Sequence, residues 1–218
     1  MATTIESTRL LQLMAIMSPA FPIGGFAYSH GFELAIDEGM VKTPENVQAW
    51  IESLVKHGSG WNDAVLFSTS YAAQDTVRLE IDELALALAA SRERALETSD
   101  LGQSLARSAA VLTALEPLKL KAYPVVFAAT CAAAGIAKLS GLLALLQAFS
   151  NNLVSVGVRL VPLGQTAGLE IMRDLMPVIS ATASRAMLAT LDDLGSAAFL
   201  SDIAAMKHEI QYSRVFRS

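Results

Sequence analysis

The sequence predicts an all-α protein, folded as a single compact domain of about eight to ten helices. Hydrophobic residues make up 53% of the 218 residues and charged residues only 17%, which excludes intrinsic disorder for most of the chain. Aromatic residues account for only 6%, so Ala and Leu carry the apolar excess, and both favour helices over strands. No repeat of fixed period and no linker divides the sequence, so we expect one domain over residues 1–218.

Apolar spacing and capping residues place the helices of the first half. Residues three to four positions apart predict a helix that ends before Ser18: Leu10, Leu11, Met14 and Met17. Thr43 and Pro44 predict a helix start, with Thr as the N-cap and Pro at the first helical position. That helix should stop near His57-Gly58, and the next should open at Trp61-Asn62-Asp63.

The same reasoning extends through the middle of the chain. A helix is expected over Ile81–Ala90, and another should start at the capping pair Ser99-Asp100. Pro117 and Pro124 predict a break. The Ala-rich residues 125–134 should then pack closely, because small side chains let helix backbones approach.

One apolar stretch, Leu139–Val158, has 20 residues without a charge and is therefore long enough to be a candidate membrane span. Its polar side chains, including Asn151 and Asn152 just past its centre, would lack hydrogen-bond partners in lipid. We therefore expect a buried core helix and no membrane association. Val154–Leu163 should stay helical, because its β-branched residues have no pairing partner elsewhere in the sequence.

The last quarter predicts two further helices. Pro177 is a candidate kink in the first of them, and Ser196 should cap the second. We expect this last helix to bury five apolar side chains: Phe199, Leu200, Ile203, Met206 and Ile210.

Charge and cysteine content narrow the class of protein. Lys and Arg total 16 against 21 Asp and Glu, which gives a net charge of −5 and argues against a nucleic-acid partner. Cys131 is the only cysteine, which fits a reducing cytoplasm. The apolar run near the N-terminus is short and has no basic region before it, so we expect a cytoplasmic protein rather than an exported one.

The sequence carries no convincing catalytic or metal-binding motif. The pattern GxxxxGK followed by Ser or Thr is absent, so the chain should not hydrolyse nucleotides itself. His208-Glu209 begins like the zinc motif HExxH, but position 212 is Tyr. The three histidines, His30, His57 and His208, lie far apart in sequence. We therefore expect a protein that is not an enzyme, with no stably bound cofactor and no assigned metal ligand.

Two segments have compositions that are unusual for a protein core. Residues 18–33 (SPAFPIGGFAYSHGFE), called the loop segment below, combine prolines and glycines with aromatic side chains. Residues 207–218, called the tail, carry Lys207, Arg214 and Arg217 against one acid, Glu209. Arg and aromatic residues dominate protein–protein interfaces. We interpret the loop segment as either a rigid cover or a partner platform, and the tail as a docking segment that could be disordered when alone.

These two segments, together with RLVPLGQTAG at residues 159–168, resemble the urease accessory protein F family, in the expected order and essentially end to end. The resemblance implies an all-helical, dimeric protein. It implies a bridge between the D-type accessory protein (H-type in some organisms) and the G-type GTPase, regulation of that GTPase, and support of nickel insertion into apo-urease. Nickel is then handled by the complex.

The resemblance also suggests roles for individual residues. In the tail and the loop segment it implies partner-binding residues: Tyr28, His30, His208, Glu209, Tyr212, Arg214, Phe216 and Arg217. Structural roles are implied for Pro22, Gly24, Gly25, Gly164, Gln165 and Gly168. Gly164 and Gly168 are expected to allow close packing, and Gln165 to bond to backbone.

Two alternatives of other classes stay open at this point. A helical serine hydrolase would use one of two pairs: Ser53 with Lys56, or Ser29 with His30. A direct nickel carrier would bind the metal through His30, His57 or His208.

Overall fold

The computed structural model describes residues 2–18, 20–22, 24–113 and 119–217, and confirms the all-α fold in a single compact domain. No strand occurs in these ranges. The α-helices are α1 (Ala2–Ile16), α2 (Phe32–Asp37), α3 (Pro44–His57), α4 (Ser59–Ser70), α5 (Asp75–Ala87), α6 (Arg92–Thr113), α7 (Tyr123–Ala133), α8 (Lys138–Leu160), α9 (Gln165–Ala186) and α10 (Phe199–His208). Pro19, Pro117 and Ser218, which figured in the sequence predictions, lie outside the described residues.

The core forms around α7 and α8. Helix α7 is apolar on all sides and is buried over residues 124–131, as expected for a helix surrounded by others. Helix α8 packs against α3, α4, α7 and α9. It is long and apolar enough to cross a membrane by length and composition, but half of its most apolar window is buried inside the protein. Its fully buried leucines, such as Leu142, Leu146 and Leu153, confirm the predicted core helix.

Several predicted helix ends are confirmed. The Thr43 Oγ1 accepts a hydrogen bond from the Asn46 N–H (3.3 Å), and Pro44 opens α3. Helix α3 ends at His57, as predicted. The predicted cap of the last helix, by contrast, is wrong: Ala198 precedes α10 and makes no side-chain capping bond, and the Ser196 Oγ accepts only from the Ala198 N–H (3.2 Å).

Other boundaries were predicted wrongly. Ser99-Asp100 lies inside α6, which starts seven residues earlier because the Ser91 Oγ accepts from the Arg94 N–H (3.1 Å). Helix α4 begins at Ser59, directly after Gly58, rather than at Trp61. Helix α5 spans 75–87 instead of 81–90. Residues 161–163, predicted to be helical, follow the end of α8, whereas α9 runs unbroken through Pro177.

The prediction for α10 is wrong in a way that matters for function. The five large apolar side chains expected inside are all exposed, four on α10 and one just beyond its end: Phe199, Leu200, Ile203, Met206 and Ile210. The buried face carries small residues instead, Ser201, Ala204 and Ala205, together with His208. A Cβ on Gly31 would lie 2.4 Å from the Ala205 backbone nitrogen. The backbones of the loop segment and α10 therefore touch, which large side chains would prevent.

Candidate partner-docking site

The loop segment is buried where it enters α2. Tyr28, Ser29, His30, Phe32 and Glu33 are all buried, although a loop is usually exposed. The Asn152 side chain of α8 donates to the Tyr28 carbonyl (2.8 Å), and the Ser201 hydroxyl of α10 donates to the His30 carbonyl (3.3 Å). These bonds satisfy backbone groups that water cannot reach, and they fix the loop segment between two helices.

The Glu33 carboxylate anchors the tail. Its Oε1 accepts from the Val215 N–H (2.7 Å), and its Oε2 accepts from the Phe216 N–H (2.9 Å). The Glu33 Oε2 also lies 3.2 Å from the His208 Nε2. The tail is therefore held through its backbone by a buried charge, and charge-assisted bonds of this kind are among the stronger ones.

His208 continues this network to α6. Its Nδ1 lies 2.7 Å from the Glu93 Oε2, so the imidazole bridges two carboxylates, and the residue is fully buried. Arg214 pairs with the other oxygen of Glu93. We call Glu33, Glu93, His208, Arg214 and Phe216 the tail clasp. It joins the two segments that the sequence singled out, which lie at opposite ends of the chain.

Two more contacts extend the tail clasp at either end. The Glu209 Oε1 accepts from the Arg92 N–H (2.7 Å), so a tail carboxylate caps the first residue of α6. The Arg217 N–H donates to the Ala27 carbonyl (2.7 Å). The tail, whose order the sequence left open, is thus bound to the rest of the chain from His208 to Arg217.

A second buried network lies next to the tail clasp. His30 Nε2 is 3.0 Å from Glu97 Oε1, and Arg94 pairs with the same carboxylate. Arg94 also lies 3.9 Å from Asp63 of α4. We call His30, Asp63, Arg94 and Glu97 the ion-pair cluster. It lies at the boundary of two cavities of about 210 Å³ and 170 Å³, because His30, Asp63 and Arg94 line both.

Burial and charge shift the pKa values in the ion-pair cluster in opposite directions. Burial raises the pKa of Asp63 to about 6, although Arg94 partly offsets this. Burial also acts on Glu97, but Arg94 and His30 outweigh it and hold the pKa of this carboxyl at about 2. Burial, reinforced by Arg94, lowers the pKa of His30. Near pH 7 the cluster thus holds an ionised Glu97 against Arg94, with a neutral His30.

The outer face of α10 is apolar and unpartnered. Phe199, Ile203 and Met206 recur at spacings of four and three residues, so they share one face of α10, and Ile210 lies in the turn directly after the helix. Their exposed fractions are 68%, 49%, 53% and 87%. Tyr212, just beyond, is fully exposed. Exposed apolar faces of this kind are typical of surfaces that contact another protein.

The structure divides the predicted partner-binding residues into two groups. Tyr212, Arg214 and Arg217 are exposed and Glu209 is half-buried. The other four are buried within the chain: Tyr28, His30, His208 and Phe216. The expectation of surface positions is corrected for these four, because each side chain fills internal space or joins a buried network. A role in partner binding stays a prediction.

The predicted structural residues also differ among themselves. A Cβ on Gly168 would lie 2.8 Å from the Val158 Cγ2, so this glycine does allow α8 and α9 to pack closely. Gly164 faces open space, and its expected packing role was wrong. Gly24 has a φ of 78°, which favours glycine. Gln165 and Pro22 are exposed, and Gly25 opens a short 3-10 helix.

Neither proposed serine pair forms a catalytic arrangement. Ser53 is exposed on α3, and the nearby Lys56 is paired with Glu52 (2.8 Å). The Ser29 Oγ accepts from the Glu33 N–H (3.3 Å). His30 uses its Nε2 towards Glu97, and its Nδ1 has no hydrogen-bond partner in the described parts of the chain. No observation therefore favours nucleophilic serine chemistry.

The histidines give no support to a fixed nickel site. Within the described ranges, no group of three or more His, Cys, Asp or Glu side chains is arranged to hold a metal ion. His57 is exposed at the end of α3, while His30 and His208 belong to different buried networks. Direct nickel carriage by the chain alone is not favoured by this geometry.

The fold and the site define an all-helical protein whose tail is held against the loop segment and α6 in a buried clasp, beside an exposed apolar helix face. Sequence comparison identifies the family: the family model for UreF matches residues 41–176. The chain belongs to the UreF family.

Full-length relatives agree with this family. The chain is 48% identical to urease accessory protein UreF of Mesorhizobium japonicum, covering 98% of both chains. It is 45% identical to urease accessory protein UreF 1 of Brucella canis, covering 99% of this chain and 97% of the relative. It is 42% identical to the UreF protein of Ruegeria pomeroyi over the full length of both.

Proposed function

We propose that this chain is a cytoplasmic urease accessory protein that works as a subunit of a nickel-insertion complex. In this proposal it bridges the D- or H-type accessory protein and the G-type GTPase, regulates that GTPase, and supports nickel insertion into apo-urease. It acts as a homodimer and catalyses no reaction itself. Nickel is handled by the assembled complex, and the chain holds no cofactor stably. The family and the names of its relatives support this assignment.

The observation that carries the proposal is the exposed apolar face of α10, continued by Tyr212 of the tail. Exposing Phe199 and Ile210 to water is unfavourable by about 1.5–3 kcal/mol for each large side chain relative to burial. A partner that covers this face recovers that free energy. Arg214 and Arg217 are exposed further along the tail, and charges around an apolar interface set specificity and orientation.

The tail clasp supports the same proposal, because it fixes the surface before a partner arrives. His208 ends α10 and is locked between Glu33 and Glu93, so Ile210 and Tyr212 follow a rigid anchor. A pre-ordered segment loses less conformational entropy on binding than a free one. We therefore assign the docking of the D-type protein to the outer face of α10 and the first part of the tail.

A co-expression pull-down tests this assignment. The variant Ile210→Asp places a charge within the proposed interface, where α10 passes into the tail, and changes no residue of the tail clasp. We expect it to weaken capture of the D-type protein at least about tenfold, as for an interface anchor. Leu188→Asp is the matched control, since Leu188 and Ile210 are both 87% exposed.

The control should bind like the unmodified chain, and both variants should keep the helical circular dichroism of the parent. If Ile210→Asp bound the D-type protein as well as the parent does, the interface would not lie on α10. Equal loss in both variants would show a general effect of surface charge, and the proposed docking face would be abandoned.

A further inference from the structure

A polar surface pocket of about 290 Å³ lies where three segments meet. The loop segment, α6 and the tail each contribute to its lining, which includes Gly24, Tyr28, Asp100, Gln103, Arg107 and Arg217. None of its lining residues belongs to the apolar face of α10 or to the ion-pair cluster, although Gly24 also lines the 210 Å³ cavity beside that cluster.

The charge in this pocket is positive although the chain as a whole is acidic. Arg107 and Arg217 supply two guanidinium groups, against the single carboxylate of Asp100. Asp100 is engaged with the Tyr28 hydroxyl, which lies 3.5 Å from its Oδ2. Arg107 donates to the Ser104 hydroxyl (3.2 Å), and Arg217 lines the pocket beside Tyr28. A guanidinium carries more N–H donors than such contacts use, so both arginines keep donors for a ligand.

We propose that this pocket binds one oxyanion group, a phosphate or a carboxylate. Guanidinium groups match the oxygen spacing of both and bind them through paired, charge-assisted hydrogen bonds. The group can come from a free or nucleotide phosphate, or from an acidic side chain of another protein. The site goes beyond the proposed docking face, and it can be tested on the isolated chain.

Docking of the tail builds the pocket. Arg217 reaches it only because its N–H donates to the Ala27 carbonyl (2.7 Å) and the Phe216 N–H donates to Glu33. An anion that needs Arg217 binds the docked tail better than a released one. By linkage, the anion therefore stabilises the docked tail by the same factor.

Titration of the 15N-labelled full chain with inorganic phosphate, at constant ionic strength set by chloride, tests the site. We expect saturable amide shifts at Gly24, Gln103 and Arg217. Arg107→Gln should weaken binding about tenfold, because one charge-assisted pair is lost. Asp100→Asn should tighten binding, because it removes the repelling charge.

Arg173→Gln is the matched control, since Arg173 is also an exposed helical arginine but is paired with Asp174 (2.7 Å). It should leave phosphate affinity unchanged. If Arg107→Gln binds phosphate as tightly as the parent, or if no shift saturates, the pocket is not an oxyanion site. Arg217→Gln repeats the test on a second element of the pocket.

Acetate at matched ionic strength distinguishes the two sources. Saturation of the same shifts by acetate and by phosphate supports a carboxylate from a partner, and saturation by phosphate alone supports a phosphate ligand. Saturation by neither overturns the proposal. Phosphate should also slow hydrogen exchange at the Phe216 amide. Unchanged exchange under saturating phosphate would overturn the link to tail docking.

Discussion

The tail clasp and the ion-pair cluster both place a buried histidine next to glutamates, yet they connect different parts of the chain. In the ion-pair cluster, His30, Arg94 and Glu97 join side chains of the loop segment and α6. In the tail clasp, Glu33 accepts from backbone N–H groups of residues 215 and 216. The first network is part of the packed interior, whereas the second fastens a chain end to it.

The difference predicts how each network fails. Removing a partner inside the ion-pair cluster leaves an unpaired charge among packed helices, so the stability of the whole domain should fall. Removing an acceptor from the tail clasp frees a terminal segment that can move into water, so the loss should stay local. The following predictions test this contrast, from the largest expected effect to the smallest.

Glu97→Ala should have the largest effect on global stability. It leaves the Arg94 guanidinium, whose side chain is only 11% exposed, without its buried carboxylate partner. We expect a loss of about 3–5 kcal/mol in the free energy of unfolding, measured by urea denaturation. Glu52→Ala, which breaks the more exposed pair with Lys56, should cost less than about 1 kcal/mol. Similar losses of unfolding free energy in both variants would show that the ion-pair cluster stabilises the domain no more than an exposed ion pair does.

Asp63→Asn should change how stability depends on pH. The pKa of Asp63 is raised in the folded chain from 3.8 to about 6, so the folded state favours the neutral carboxyl. The resulting stability is complete below pH 4 and is lost as the pH rises through 6. The amide cannot ionise, so at pH 7 we expect the variant to be more stable than the parent by on the order of 3 kcal/mol.

The same two proteins should differ little at pH 4, because this pH is close to the ordinary Asp pKa of 3.8, where the effect of the raised pKa has only begun to develop. Urea denaturation at pH 4, 5, 6 and 7 measures the difference. Asp37→Asn, at an exposed carboxylate on α2, should run parallel to the parent. A constant difference between Asp63→Asn and the parent at all four pH values would contradict the prediction.

Glu33→Gln should act on the tail more than on the domain. It removes the charge that receives the Val215 and Phe216 N–H groups, a change worth about 1.5–3 kcal/mol. We expect hydrogen exchange at these two amides to accelerate about 10- to 100-fold, with a smaller change in the core helices. Glu38→Gln, which removes the exposed pair with Lys207 (3.2 Å), should leave both amides protected. If hydrogen exchange accelerated uniformly throughout the chain, the tail clasp and the ion-pair cluster would belong to one cooperative unit, contrary to the prediction.

Much of the helical framework could be predicted from the sequence, because its signals are local. Thr43 and Pro44 act through the first turn of α3, and the apolar content of α7 and α8 forces them inside. Prediction was wrong where a competing local signal was overlooked, as with Ser91, which starts α6 ahead of Ser99. The helical spacing on α10 was read correctly, but the face that it buries was not.

The candidate site could be predicted only in part from the sequence. The loop segment and the tail stood out by composition, and the family resemblance came from the same residues. Glu33 was noted only as the last residue of the loop segment. Glu93, Arg94 and Glu97 were not singled out, because an acid or a base in a helix looks solvated until its partners are known. No signal in the sequence pairs Glu93 with His208, 115 positions apart.

The sequence by itself determined the helical class, the apolar core helices and the two segments of unusual composition, since each depends on residue type and short-range spacing. Only the tertiary structure decided that Gly31 meets Ala205, that α10 buries its small face, and that Glu33 fastens the tail. The physical reason is that burial and pairing are properties of what surrounds a side chain. Those surroundings come from residues far apart along the chain, brought together only when the helices pack.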